Sequence, residues 1–199
     1  MNVLVIGNGG REHAILLALK KSPRVDKLYC MKGNAGTAEI AENVDVDYMN
    51  IPAVVEYAEA HPEIDYYVVA PDDPLAIGLV DALEGIGKRC FGPRKDAAII
   101  EASKAFSKNL MKKYGIPTAQ SEIFDDYEKA LAYVREQGAP IVLKADGLAL
   151  GKGVLICNTL EEAEEGLKSI MLDKAFGSAG NKVVIEECMR GLKYTPGEE

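Results

Sequence analysis

NVLVIGNGGREHA, residues 2–14, decides the fold. Asn2–Ile6 is a short β-branched apolar run that reads as a buried strand, and Gly7 ends it. Gly9 and Gly10 follow. Ile15, Leu16, Ala18 and Leu19 then give a helical pattern from Arg11 to about Lys21, stopped by Pro23. Strand, glycine turn and helix in this order open an α/β sheet.

The alternation continues outward. Lys27–Met31 reads as a second strand, and Val44 and Val46 alternating with Asp45 and Asp47 as a short third. Residues 51–60 are helical. DYYVVA at 65–70 is a fourth strand, stopped by Pro71. Pro74–Ile86 is helical, with Leu75, Leu79, Ala82 and Leu83 on one face, and Arg89–Phe91 is a fifth strand. Strands alternating with helices pair in parallel through right-handed crossovers, so residues 1–93 are expected to form an open parallel sheet. Ligands meet such sheets at the carboxyl ends of the strands. Gly7–His13, Gly33–Thr37 and Pro71–Pro74 all follow strands and should converge on that edge.

Residues 94–119 read as a helical linker in two pieces, with Ser103 as N-cap of the second. Residues 120–190 form a smaller α/β unit. It holds a strand near Glu122–Ile123, Asp125 as cap candidate for a helix to Gln137, strands at 141–144 and 153–157, a Thr159/Glu162 capping box opening a helix to about Leu172, and a strand at 182–187. Residues 191–199 form an unmatched tail.

Bulk properties exclude several functions. A net charge of −8 argues against a nucleic-acid partner. No apolar run approaches the roughly 20 residues that span a bilayer, and MNVLVIGNGG reads as a strand rather than a signal peptide. A cytoplasmic protein is expected. Cys30, Cys90, Cys157 and Cys188 form no CxxC pair and read as small buried hydrophobes, and His13 and His61 are too far apart in sequence to suggest a zinc site.

Five constellations could carry chemistry. Gly7–His13 could present backbone N–H groups to an anion. Glu12 stands where a dinucleotide fingerprint needs its third glycine, so a phosphate or small-substrate role is favoured over NAD, beside a plain tight turn. Gly33–Thr37 is a surface turn or a substrate loop. Asp72 and Asp73 contact an amine or ribose hydroxyls, or Asp73 caps the helix that Pro74 opens. Lys104 and Lys144, with Asp146–Gly153 (DGLALGKG), supply point charges and glycine backbone for phosphate oxygens. This loop is unlike a Walker A loop and suggests a mobile hairpin cover, or a hairpin with a solvated lysine. Glu186 and Glu187 end the last strand, either as its solvated end or beside Met189 as a hinge for a purine edge.

Taken together and in order, VLVIGNGGREHA (3–14), GNAGTA (33–38), VVAPDDPLAIGLVDAL (68–83), FGPRKDAAIIEASKAFSK (91–108), YGIPTA (114–119), QGAPIVLKADGLALGKGV (137–154) and VVIEE (183–187) resemble the phosphoribosylamine–glycine ligase (glycinamide ribonucleotide synthetase) family of the ATP-grasp superfamily. The resemblance implies a pre-ATP-grasp, Rossmann-like N-terminal domain on the substrate side, then a small ATP-grasp subdomain. It implies ligation of glycine to 5-phosphoribosylamine through glycyl phosphate, driven by ATP. Lys104, Lys144, Asp146, Gly147, Gly151, Lys152, Gly153, Glu186, Glu187 and Met189 match ATP-contacting positions. Gly9, Gly10, Arg11, Asp72 and Asp73 fall on the phosphoribosylamine side. Lys193 stands where the family has a ribose-binding acid. The C-terminal ATP-grasp half, with its Mg²⁺ ligands, is expected to be absent, so this chain is read as an incomplete form with little turnover and only weak ATP binding by itself. Its catalytic residues and oligomeric state stay unassigned. Another ATP-grasp carboxylate–amine ligase, or a non-catalytic nucleotide- or phosphoribosyl-binding fragment, are the alternatives.

Overall fold

The chain divides into two compact units, Met1–Ala102 and Ser103–Glu199. The computed structural model describes residues 1–148 and 153–191. The expectations placed on Gly151, Lys152, Lys193, the mobility of the glycine loop and all but the first residue of the 191–199 tail therefore lie outside the described residues.

The first unit runs β1 (Asn2–Gly7), α1 (Gly10–Leu19), β2 (Lys27–Lys32), α2 (Ala35–Ala38), β3 (Glu42–Val44), α3 (Ile51–Ala60), β4 (Tyr66–Val69), α4 (Asp72–Ile77), α5 (Leu79–Gly85), β5 (Cys90–Phe91) and α6 (Lys95–Ala102). Its five strands are all parallel, in the order β3-β2-β1-β4-β5. Strand β1 is central and apolar on both faces, as a covered parallel strand requires. Leu4 and Ile6 join Met31, Val54, Leu79 and Leu83 in one core, and Val3 and Val5 join Leu16, Leu28 and Cys30 in another.

The sequence reading needs correction at several points. Residues 74–86 are not one helix: Gly78 adopts a left-handed conformation (φ 97°) that ends α4 and starts α5. Asp73 does not cap. Pro71 is the extended residue before α4, so Asp72 and Asp73 both lie inside the first turn, where the helix dipole favours acids. Gly33–Thr37 is not a bare turn but leads into a helix. Asn34 Oδ1 accepts from Thr37 N at 3.0 Å and caps the single-turn helix α2. The third strand ends at Val44, and Val46 lies outside it. Cys90 and Cys188 are partly exposed, whereas Cys30 and Cys157 are buried.

The second unit runs α7 (Lys104–Tyr114), β6 (Ser121–Phe124), α8 (Tyr127–Gln137), β7 (Ile141–Ala145), β8 (Val154–Cys157), α9 (Leu160–Met171), a 3-10 turn (Gly177–Asn181) and β9 (Val183–Glu187). The sheet is antiparallel throughout, in the order β6-β9-β7-β8. Leu143, Val183 and Ile185 pack one face against Ala130, Val134, Leu167 and Ile170 of α8 and α9. Alternation then puts Val142, Lys144, Val184 and Glu186 on the other face. The cap of α8 is Asp126, which accepts from Lys129 N at 2.9 Å, one residue later than Asp125. Thr159 caps α9 as expected. Glu162 instead accepts from Asn158 N at 2.7 Å, so the box is shifted by one residue on its return side.

Tyr67 is fully buried in the first unit, and its hydroxyl has no hydrogen-bond partner among the described residues. Burial pushes this phenol well above the ordinary tyrosine range. An unpartnered buried hydroxyl costs free energy that phenylalanine would not. Tyr67→Phe should therefore leave the urea unfolding free energy unchanged or raise it by about 1 kcal/mol. A clear loss of stability would mean that the hydroxyl is bonded.

Candidate functional site

Two clusters of chemistry-bearing residues stand out, one in each unit. In the first unit the crossovers from β1 and β4 leave on opposite sides, which makes the carboxyl ends of these neighbours the topological switch point. The three post-strand loops meet there. Gly33 N donates to Gly7 O at 3.1 Å, and Asn34 Nδ2 to Asn8 O at 2.9 Å. Arg11 Nη1 lies 3.6 Å from Asp72 Oδ1. A Cβ added at Gly36 would come within 2.9 Å of His13 Cε1, so the α1 side chain lies directly on the α2 backbone. Gly9, Gly10, Arg11 and Asp72 are thus brought together, and Asp73 lies beside Asp72 in the first turn of α4.

Glu12 organises this turn. It is 3% exposed. Its Oε2 accepts from Gly9 N at 2.7 Å and its Oε1 from Arg11 Nε at 2.8 Å, and that bond to Glu12 is the main cause raising the Arg11 guanidinium above its ordinary value. A side-chain carboxylate therefore takes a backbone donor that a phosphate would use in a dinucleotide turn. An incoming anion must meet other donors, such as the Gly10 N–H at the start of α1 and the half-exposed Arg11.

Gly7 makes the arrangement possible. Its φ of 123° is disfavoured for any side chain, and a Cβ there would lie 2.6 Å from Glu12 Cγ. Gly7→Ala should destabilise the first unit by about 2 kcal/mol or more, read as a lower urea midpoint at constant m-value. A neutral result would show that the Glu12 seat is dispensable.

In the second unit the cluster gathers at the end of β7. Asp146 follows the strand. Its carboxylate accepts from Ser103 Oγ at 3.1 and 3.2 Å and from Ala105 N at 3.1 Å, so it closes the N-terminus of α7. Lys104 Nζ donates to Gly147 O at 2.8 Å. Ala145 N donates to Gly153 O at 2.8 Å, the last rung of the β7–β8 hairpin. Lys144 is paired, as a charge ending an apolar strand must be: its Nζ lies 2.7 Å from Glu186 Oε2. The register sets Val142 opposite Glu186, so Lys144 and Glu186 are diagonal neighbours on one face. Glu186 is 6% exposed, far from a solvated strand end. Glu187 is exposed and accepts from Gln120 N at 2.8 Å, and Met189 is 70% exposed.

Lys108 was not singled out from sequence. It lies four residues after Lys104 on α7, on the same helix face, and that spacing was the available signal. Its Nζ sits 3.2 Å from Glu186 Oε1. Among the described residues no three histidine, cysteine, aspartate or glutamate side chains come together as a metal-binding group. Nor is any helix among them long and apolar enough to cross a membrane.

A parallel sheet with its loops gathered at the switch point is followed by a small antiparallel sheet carrying a strand-end lysine, and this second part matches the model of an ATP-grasp domain. Comparisons with known proteins sharpen this. The model of the phosphoribosylglycinamide synthetase N domain matches residues 1–101, and that of the ATP-grasp (A) domain matches residues 102–195. The chain belongs to the phosphoribosylglycinamide synthetase family.

The phosphoribosylamine–glycine ligases of Salmonella typhimurium and Haemophilus influenzae are 50% and 49% identical to it over 193 residues, which is 96% of this chain and 45% of each relative. The chain thus spans less than half the length of these curated relatives. The crystal structure of the Thermotoga maritima phosphoribosylamine–glycine ligase is similar with a TM-score of 0.76 at 34% identity, covering 96% of this chain and 45% of that one. A biotin carboxylase from Campylobacter jejuni shares the fold, with a TM-score of 0.74 at 20% identity over 94% of this chain and 45% of that one.

Proposed function

We propose that this chain supplies the substrate-side and ATP-loop portions of an enzyme that ligates glycine to 5-phosphoribosylamine. The glycine carboxylate takes the γ-phosphoryl group of ATP and becomes glycyl phosphate, releasing ADP. The amine of phosphoribosylamine attacks the acyl carbon and expels phosphate, leaving glycinamide ribonucleotide, a step of purine synthesis. Activation is required because a free carboxylate is a poor acyl donor. Catalysis is then mostly positioning and charge neutralisation around the transferring phosphoryl group.

The observation that carries this reading is the placement of two lysines from distant segments at one glycine-rich strand end, Lys104 Nζ on Gly147 O at 2.8 Å and Lys144 one residue before the end of β7. Two ammonium groups beside glycine backbone suit a polyphosphate. In this reading Lys104, Lys144 and the hairpin Asp146–Gly153, including Gly151 and Lys152, face the phosphates. Glu186, Glu187 and Met189 lie at the adenine end. Gly9, Gly10, Arg11, Asp72 and Asp73 face phosphoribosylamine. Mg²⁺ would neutralise charge between the phosphates, and its ligands belong to the portion of the relatives that this chain does not span. A cytoplasmic setting, with small-molecule substrates only, goes with the same reading.

The position of Lys193, where the resemblance places an acid, keeps a second substrate set in view: another ATP-grasp carboxylate–amine ligase. The test is ADP release by a full-length protein carrying this sequence. Release should require both glycine and phosphoribosylamine, and Lys144→Met should lower kcat/KM for ATP by at least about 100-fold. A requirement for a different amine would replace the glycine reading. The 199-residue chain alone, which spans 45% of the length of its relatives, should give little or no turnover, and steady formation of glycinamide ribonucleotide by it would show that this portion suffices.

A further inference from the structure

Lys108 is a cation of the second unit to which the proposed mechanism gives no task. Its side chain is 10% exposed. The ammonium donates to Thr118 Oγ1 at 2.8 Å and to Ala119 O at 3.1 Å, and it faces Glu186 Oε1 at 3.2 Å. Three acceptors for three N–H groups leave it nothing to offer a ligand. Lys144 differs. Its side chain is 27% exposed, and among the described residues Glu186 Oε2, at 2.7 Å, is the acceptor it meets. Glu186 therefore stands between two ammonium groups, one committed to the protein and one that, among the described residues, has donors to spare.

Charge decides what this does. Lys144 and Glu186 alone would form a neutral pair, and an anion approaching Lys144 would have to compete with the carboxylate for it. With Lys108 on the far oxygen, the trio keeps one net positive charge. A buried carboxylate held by a second cation can also share Lys144 without being left unpaired. We infer that Lys108 is a positioning residue that neutralises and fixes Glu186, so that the charge of Lys144 stays available to the phosphates of a nucleotide. The inference rests on the nucleotide reading of this site.

The experiment is an NMR titration of the 199-residue chain with ATP and, separately, with adenosine, which lacks the phosphates. Wild type, Lys108→Met, Glu186→Gln and the double variant are compared. The trio carries one positive charge in wild type, none in Lys108→Met, two in Glu186→Gln and one in the double variant. The ratio of ATP to adenosine affinity should follow that order. It should fall about tenfold in Lys108→Met and return towards the wild-type value in the double variant, since nearby charges in a partly buried site are weakly screened. Should Lys108→Met fail to fold, Glu186→Gln against the double variant carries the same test, because no carboxylate is then left unpaired. A ratio that ignores the charge count, or a double variant no better than Lys108→Met, overturns the inference while leaving nucleotide binding intact. A wild-type chain that binds neither ligand overturns the nucleotide reading itself, and this inference with it.

Discussion

A carboxylate taken out of water must find its donors within the fold, and in both units a carboxylate of this kind sets the geometry around a glycine-rich loop. Glu12 is seated on the Gly9 N–H and on Arg11. Glu186 is seated between Lys144 and Lys108. Asp146, half-buried, is seated on Ser103 and the Ala105 N–H. Each charge is held by a group from a neighbouring turn or element, so the loops are pinned by electrostatics as well as by backbone pairing. Loss of one partner would leave a charge stranded, which is far costlier than loss of a surface ion pair.

The architecture was largely legible because its signals are local. The run Val3–Ile6, the turn at Gly7 and the periodic leucines of α1 each speak for themselves, and parallel pairing follows from the alternation. Ser103 and Thr159 cap helices as their side-chain chemistry demands. The failures fall where a local rule has two solutions. Asp125 and Asp126 are chemically equal as caps, and only backbone geometry chooses the second. Gly78 can sit inside a helix or break it, and the left-handed conformation needed between α4 and α5 decides for the break.

The candidate site was legible by residue and not by partnership. Lys104, Lys144 and Asp146 could be picked out by type and position. That Asp146 would close the N-terminus of α7, or that Glu186 would be buried, depends on contacts 41 to 43 residues apart, which periodicity does not report. Lys108 illustrates the limit. Its spacing from Lys104 places it on the right face, while its three acceptors come from the segment after α7 and from β9.

Strand β9 is the last element of the second unit among the described residues, yet it lies inside the sheet, between β6 and β7. Until it arrives, β6 and β7 have no common neighbour, and Lys144 and Lys108 lack the carboxylate that relates them. The middle of this sheet is thus filled by insertion rather than by growth from an edge. The β7–β9 rungs need loop closure over residues 146–182, and the β6–β9 rungs need it over residues 125–182. Assembly of the lysine–glutamate trio and completion of the sheet become one event, and shorter stretches of the sequence, however faithful to the motif, would not contain the site.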